Sequence, residues 1–365
     1  MNDITSTCHK PDNKNIQLLQ YRGGQALWLK LVGGRVSLLF PTRPLLVTLI
    51  LFMALAAAVI VSLVMGTTWL SVSEVLQALS GQGSRGVILL VQEIRLPRIL
   101  AGLLAGAALA CSGCLMQTLS GNRLATPDVL GVNEGATAMI LISLLGSTLG
   151  MMGPWWLAPL GSVIAVSLLL LLSGGMGARG YRIIMVGLAL THLIRAVTEL
   201  GLSQIPPQHA GATYAWSVGS LTGRGYSVAL PVAIGMAVIL PMVLGMGRQL
   251  SLLRFDEAMA KPLGLAVKPV QYGVLIMAVA LAGLAVGIAG PISFIAIAAP
   301  VLASRFSGPA TVPVFNSALL GGLLVVLADT LGRTLTAPVE IPAGVISSIL
   351  GGPFLLWLLL GAVDV

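Results

Sequence analysis

Charge is the scarcest ingredient of this 365-residue chain: Asp, Glu, Lys and Arg make up 9% of it, against 56% hydrophobic residues. Soluble domains carry roughly a quarter of their residues as these four types, so the chain cannot cover a water-facing surface of its own size, and a soluble enzyme is excluded. Acid is scarcer than base, 12 Asp and Glu against 20 Lys and Arg. That excess would suit a nucleic-acid partner only if a basic groove were interleaved with exposed aromatics. Aromatics are 5% and lie mostly in apolar runs, so no nucleic-acid partner is expected. Three cysteines and three histidines are too few and too scattered for a disulfide scaffold, a metal centre or nucleophilic chemistry. Cys111-Ser-Gly-Cys114 has CxxC spacing but stands alone in an apolar run, and reads as small packing residues. No G-x-x-x-x-G-K-S/T occurs, so the chain has no Walker A cradle, and any ATP that drives it binds elsewhere. The expected catalytic and metal-ligand sets are empty.

What is abundant is apolar length. The mean hydropathy is +0.98, and about 20 apolar residues cross a bilayer as one helix. Ten runs qualify: 44–65, 95–119, 128–149, 156–173, 183–203, 226–246, 270–289, 291–305, 314–333 and 344–362. The eighth is short and follows Gly290-Pro291, which suggests a tight hairpin partner of the seventh or a segment shielded by protein. Residues 1–43 hold Lys10, Lys14, Arg22, Lys30, Arg35 and Arg43 against Asp3 and Asp12, and read as a flexible basic cytoplasmic tail. With the loops alternating from there, Arg123, Arg179, Arg182, Arg248, Arg254, Lys261, Lys268 and Arg305 fall inside. Only Arg85, Arg95, Arg98, Arg224 and Arg333 fall outside, and Arg195 lies within a span. The bias supports ten spans with both termini cytoplasmic. The first apolar run starts too late and is too long for a signal peptide.

Local signals refine this outline. Thr126-Pro127-Asp128 predicts a capped start for the third span, and Leu96-Pro97 does the same for the second. Gly102-xxx-Gly106 and Gly283-xxx-Gly287 predict close helix crossings. Gly175-Met-Gly177-Ala-Arg-Gly180 matches a dinucleotide fingerprint, yet it lies between two spans rather than in a βαβ unit, and reads as a turn.

The remaining candidates are charges. Arg195 and Glu199, four apart in the fifth span, are a structural pair or line a pathway. Asp329 and Arg333 have the same spacing at the outer end of the ninth. Arg95, Arg98 and Arg333 run against the positive-inside bias; they are solvated helix ends, or they dock an acidic partner from outside, as guanidinium groups pair bidentately with carboxylates. Few buried carboxylates or histidines are available for a proton-coupled carrier, with Glu134, Glu199 and Asp329 as candidates. The connection from about 248 to 269 predicts a short helix capped by Asp256 with Glu257 in its first turn, ended by Pro262 and Gly264. It is a structured knob for a soluble partner or a plain connecting loop.

Six blocks carry a resemblance: Arg95-Leu-Pro-Arg98 leading to Gln117, Asn122 to Ala136, Trp216-Ser-Val-Gly-Ser220, Ala289-Gly-Pro-Ile-Ser-Phe-Ile295, Leu327-Ala-Asp-Thr-Leu-Gly-Arg333 and Ile341-Pro-Ala-Gly-Val345. Together they resemble the permeases of ABC importers for ferric siderophores, haem and vitamin B12. The resemblance implies an all-α, polytopic type II ABC importer permease of ten transmembrane helices over 44–362, in the inner membrane. Implied partners are a second permease subunit, two ATPase subunits that carry the ATP and Mg, and a periplasmic substrate-binding protein. A heterodimer is preferred over a homodimer. Arg95, Arg98 and Arg333 would dock the binding protein; Asp256, Glu257, Ala260, Leu263, Gly264 and Val267 would couple to the ATPase. Pro127-Asp-Val-Leu-Gly and Gly219-Ser-Leu lean toward ferric catecholates, with haem or vitamin B12 as the close alternative and a proton-coupled secondary transporter as a different class. Where relatives carry Pro-His, this chain has Pro300-Val301, which puts the contacts of that helix in doubt.

Overall fold

The computed structural model describes residues 16–21, 24–31, 36–66, 68–146, 154–175, 180–204, 207–255, 257–308, 312–337 and 339–360. In chain order these form β1 (Ile16–Tyr21), β2 (Gly24–Leu31), β3 (Val36–Pro41), α1 (Thr42–Val64), α2 (Val72–Leu79), α3 (Arg85–Leu89), α4 (Leu96–Ser120), α5 (Val132–Gly146), α6 (Leu157–Ser173) and α7 (Gly180–Ser203). They continue as α8 (Pro207–Ser217), α9 (Tyr226–Gly245), α10 (Gly247–Leu252), α11 (Glu257–Ala260), α12 (Val267–Ala289), α13 (Ile295–Ser307), α14 (Val314–Thr334) and α15 (Ala343–Leu360). Each of the ten apolar runs is a helix, respectively α1, α4, α5, α6, α7, α9, α12, α13, α14 and α15. Six helical stretches are by themselves long and apolar enough to cross a membrane; Arg85–Ser120 is the longest at 36 residues.

Four local expectations are corrected. Leu96-Pro97 does not begin the second span. The helix starts at Ser84, whose hydroxyl accepts from the Val87 N–H, and runs through a π-helical turn at Leu90–Arg95 into α4. Proline offers no N–H and crowds the preceding turn, and the wider turn ahead of Pro97 accommodates both defects. Thr126 does not cap the third span either. Pro127–Leu130 is a separate 3-10 turn closed by Gly131 at φ 75, and α5 begins only at Val132. The seventh span starts earlier than 270, at Val267. The basic N-terminal segment, read as a flexible tail, carries a three-stranded antiparallel sheet in the order β1-β2-β3. The sheet precedes the helical body, whose class is as expected.

The core is built around α4 and α12. Gly106 faces Gly321 of α14 so closely that a Cβ would lie 2.2 Å from the Gly321 carbonyl oxygen. Gly113 meets Ala296 of α13 in the same way, at 1.9 Å. On α12, Gly283 and Gly287 lie against Pro159 and the Trp155 carbonyl at the start of α6. Small residues thus let backbones touch where apolar side chains would gain little over lipid. Ser112 adds a hydrogen bond from α4 to the Ala278 carbonyl of α12, 2.6 Å. α13, the short eighth span, is largely buried, as the shielded reading required. Phe294 enters it at φ 77 with its ring edge-on to Phe354 of α15, centroids 5.2 Å apart. By contrast α1, α7 and α9 expose large apolar side chains such as Phe52, Leu193 and Leu230.

Candidate functional site

The first helix end of α4 gathers charge that the sequence scatters over more than 240 residues. Arg98, near the N-terminus of α4, lies against Asp329, near the C-terminus of α14. Its Nε donates to Asp329 Oδ1 and Oδ2 at 3.1 Å each, its Nη2 to Oδ1 at 2.9 Å, and its Nη1 to Glu340 Oε2 at 2.8 Å. Glu340 also accepts from Thr222 Oγ1 at 3.1 Å. Arg333 Nε sits 3.1 Å from Asp329 Oδ2, one helical turn away, and its Nη2 donates to Ser62 Oγ of α1 at 2.6 Å. Two cations and two carboxylates therefore balance in one buried network that ties α1, α4, α14, the segment before α15 and the segment after α8. Arg98, Asp329 and Arg333 are 8%, 3% and 5% exposed. Fork geometry on a carboxylate is the strong arrangement for such a burial.

Arg95 lies beside this network and is likewise buried. Its guanidinium donates to the Leu63, Val64 and Thr68 carbonyls, capping the C-terminal end of α1 and the chain beyond it. Within the single chain, all three arginines expected at the surface are engaged internally. Sequence reasoning missed Glu340, the fourth charge; its position one residue before the Ile341-Pro-Ala-Gly block was the available signal. Glu340 stands outside the helices. Burial alone would raise its carboxyl, but the hydrogen bond and charge of Arg98, with Thr222 and Arg333, hold it below the ordinary carboxylate value.

Three of the sequence blocks converge at this same end. Gly344 donates its N–H to the Gly219 carbonyl at 2.9 Å, and a Cβ on Gly290 would sit 2.1 Å from the Trp216 carbonyl. Gly219 and Gly290 have φ 90 and 72, a backbone only glycine adopts cheaply, so the blocks are packing motifs of this junction.

At the opposite end, α10 and α11 form the connection before α12. Ala260, Leu265 and Val267 bury themselves in a small core of their own with Leu252, Leu253 and Val270. Leu263 is exposed, and Gly264 turns at φ 85 with open space around it. Glu257 pairs with Lys261 at 2.9 Å, which holds its carboxyl below the ordinary value. Asp256 lies outside the described residues. The connection is a structured knob, with Ala260 and Val267 inside it and Glu257, Leu263 and Gly264 on its surface.

Arg195 and Glu199 do pair along α7, Nε to Oε1 at 3.1 Å, yet their side chains are 62% and 65% exposed. The pair is thus left uncovered by the described residues, although it lies in an apolar helix.

Three kinds of comparison agree with this architecture. The family model of the FecCD transport family matches residues 54–361. The achromobactin transport system permease protein CbrC of Dickeya dadantii is 34% identical over 317 residues, covering 86% of this chain and 90% of that protein. The ferric enterobactin transport system permease protein FepG of Escherichia coli is 34% identical over 324 residues, 88% of this chain and 98% of that protein. The iron(3+)-hydroxamate import system permease protein FhuG of Bacillus subtilis is 31% identical over 331 residues, with the same coverage of both chains. Among solved structures, a metal-chelate type ABC transporter in an inward-facing conformation superposes with a TM-score of 0.73 at 24% identity, covering 87% of this chain and 99% of the other, and shows the same fold. With ten apolar helices, a glycine-packed core and a family match over most of its length, the chain belongs to the FecCD transport family.

Proposed function

We propose that the chain is the membrane permease subunit of an ATP-binding cassette importer that carries an iron(III)–siderophore chelate from periplasm to cytoplasm by alternating access. The observation that carries this is similarity along nearly the whole length of permeases named for achromobactin, ferric enterobactin and ferric hydroxamate. In this reading the protein is a multi-pass inner-membrane protein with both termini cytoplasmic, an orientation supported by the basic residues of its first 43 positions. The knob of α10 and α11 is on the cytoplasmic end and receives the motion of two ATPase subunits, which hold the ATP and Mg.

The charge network then lies at the periplasmic mouth, where a substrate-binding protein docks. We assign Arg95, Arg98 and Arg333 the part of holding that mouth in shape; direct pairing with acidic residues of the binding protein would require them to exchange their present partners. The Arg195–Glu199 pair we assign to the translocation pathway at the seam with a second permease chain, of different sequence for preference. A charge facing hydrocarbon near mid-bilayer costs about 2.5–3.5 kcal/mol on insertion scales, so an uncovered ion pair on a span favours water or protein opposite it.

Reconstitution with the ATPase and binding protein in liposomes tests the proposal. ATP-dependent uptake of radiolabelled ferric siderophore is expected. Uptake that needs a proton gradient and no ATP would replace it with a secondary carrier; preference for haem or vitamin B12 would move the substrate to those classes.

A further inference from the structure

α2 crosses nothing and takes no part in the charge network, yet its eight residues divide into three faces. Val75 and Ala78 are buried in a small core with Ala58 and Leu63 of α1 and with Val91, Ile99 and Val326. Ser73, Glu74 and Gln77 make a second, polar face. The third is apolar and open: Val72, Leu76 and Leu79 lie within about 60° of one another at 3.6 residues per turn, and they are 53%, 62% and 41% exposed. The helix is not free to roll and hide them. Its start is fixed by a capping box, in which the Ser71 N–H donates to Glu74 Oε2 at 2.7 Å and the Glu74 N–H to Ser71 Oγ at 3.2 Å. Its end is fixed by Gln92 Nε2, which donates to the Ala78 carbonyl at 2.7 Å.

What meets the open face follows from its depth. α1 has 23 residues, roughly 34 Å of helix, enough to cross the hydrocarbon of a bilayer, and α2 begins shortly after it ends. α2 therefore stands at the membrane boundary where α1 emerges. Aromatic rings mark the same level. By alternation of the spans, α1 ends on the side where α6 and α9 begin; Trp156 and Tyr226 stand at those two starts and Trp69 just ahead of α2, all three exposed. Such rings collect at that depth because one end is apolar and the other is wet. α2 packs on α1, α3 and the π-helical turn, and these neighbours expose Ile60, Val61, Leu89 and Ile94, so its open face belongs to a wider apolar surface. The one charge on α2, Glu74, lies on the side away from Val72 and Leu76.

We propose that α2 is an interfacial helix: it lies along the membrane surface with Val72, Leu76 and Leu79 in lipid at the boundary of headgroups and acyl chains, and with Ser73 and Gln77 toward water. The occupant of the open face is phospholipid of the leaflet in which α1 ends. The proposal rests on the chain's being a multi-pass membrane protein and not on what it transports.

The test uses the full-length chain with the subunits that co-purify with it, in nanodiscs, with Cys8→Ser and one nitroxide label at Val72→Cys, Leu76→Cys, Ser73→Cys or Gln77→Cys. Cys111 and Cys114 are buried, and the Cys8→Ser protein without an added cysteine gives their background. The ratio of collision with oxygen to collision with a water-soluble nickel chelate should be several-fold higher at 72 and 76 than at 73 and 77. Leu76→Glu should lower the ratio at 72 several-fold, and an unchanged ratio there overturns the proposal. Equal ratios on the two faces overturn it in favour of a solvated helix. Exclusion of both probes from 72 and 76 overturns it in favour of a contact with a second protein chain, as does a contrast that appears only once a substrate-binding protein is added.

Discussion

Asp329 is the hinge of the charge network, and Asp329→Asn probes it without changing volume. The natural side chain accepts three hydrogen bonds from Arg98 and faces Arg333 at 3.1 Å, with 3% of its surface exposed. The neutral amide leaves two guanidinium groups, 8% and 5% exposed, to share Glu340 alone. Removing one partner of a buried pair costs about 3–5 kcal/mol, because an uncompensated charge stays behind. The mouth should loosen first, since the same cluster ties α1, α4 and α14. Restoring neutrality is the sharper half of the prediction. Arg333→Met added to Asp329→Asn leaves Arg98 with Glu340, one charge of each sign, so the double variant should recover part of the loss, with a coupling of roughly 0.5–3 kcal/mol. Thermal and denaturant unfolding of the purified protein in lipid nanodiscs reads all four corners of the cycle. A cost below about 1 kcal/mol for Asp329→Asn, or strict additivity in the double variant, would refute the balanced-network reasoning.

Gly106→Ala should cost about 1–3 kcal/mol by overpacking, since its Cβ falls 2.2 Å from a backbone oxygen that cannot turn aside; an unchanged unfolding midpoint would contradict the α4–α14 crossing. Gly264→Val meets no neighbour, so it should strain only the knob, by about 1–2 kcal/mol, and uncouple ATP hydrolysis from uptake while global stability holds, with Gly264→Asn milder; full coupling in the valine variant counts against the knob's role. Glu340 contributes stability that is complete above the ordinary carboxylate value and is lost as pH falls through its lowered one. Glu340→Gln should therefore lower stability at neutral pH and flatten the acid-side decline, measured as unfolding midpoint against pH; parallel profiles would refute the assignment.

Much of the helical body was legible because hydrocarbon makes a local demand. A backbone in lipid must satisfy its own hydrogen bonds, so each crossing announces itself as an apolar run, and all ten runs are helices. Pairs four apart on one helix, Arg195 with Glu199 and Asp329 with Arg333, were readable for the same reason, since helical periodicity is a property of neighbours in sequence. The family blocks were legible as strings, whereas their meeting at Gly219, Gly290 and Gly344 was not. The strands of the N-terminal sheet went unread, in a segment whose polar and basic residues suggested a loose tail.

By itself, the sequence determined a membrane-embedded helical chain, its spans, its bias in basic residues and the residue types able to pair. Tertiary structure alone decided that Arg98 reaches Asp329 and Glu340, 231 and 242 positions away, and that three arginines expected at the surface are buried. The same holds for the partner each packing glycine touches and for the continuation of the second span through Pro97. The physical reason is one of range. Hydropathy and helical period act between neighbours along the chain, whereas charge neutralisation and backbone contact are settled by whichever distant helix comes to lie alongside.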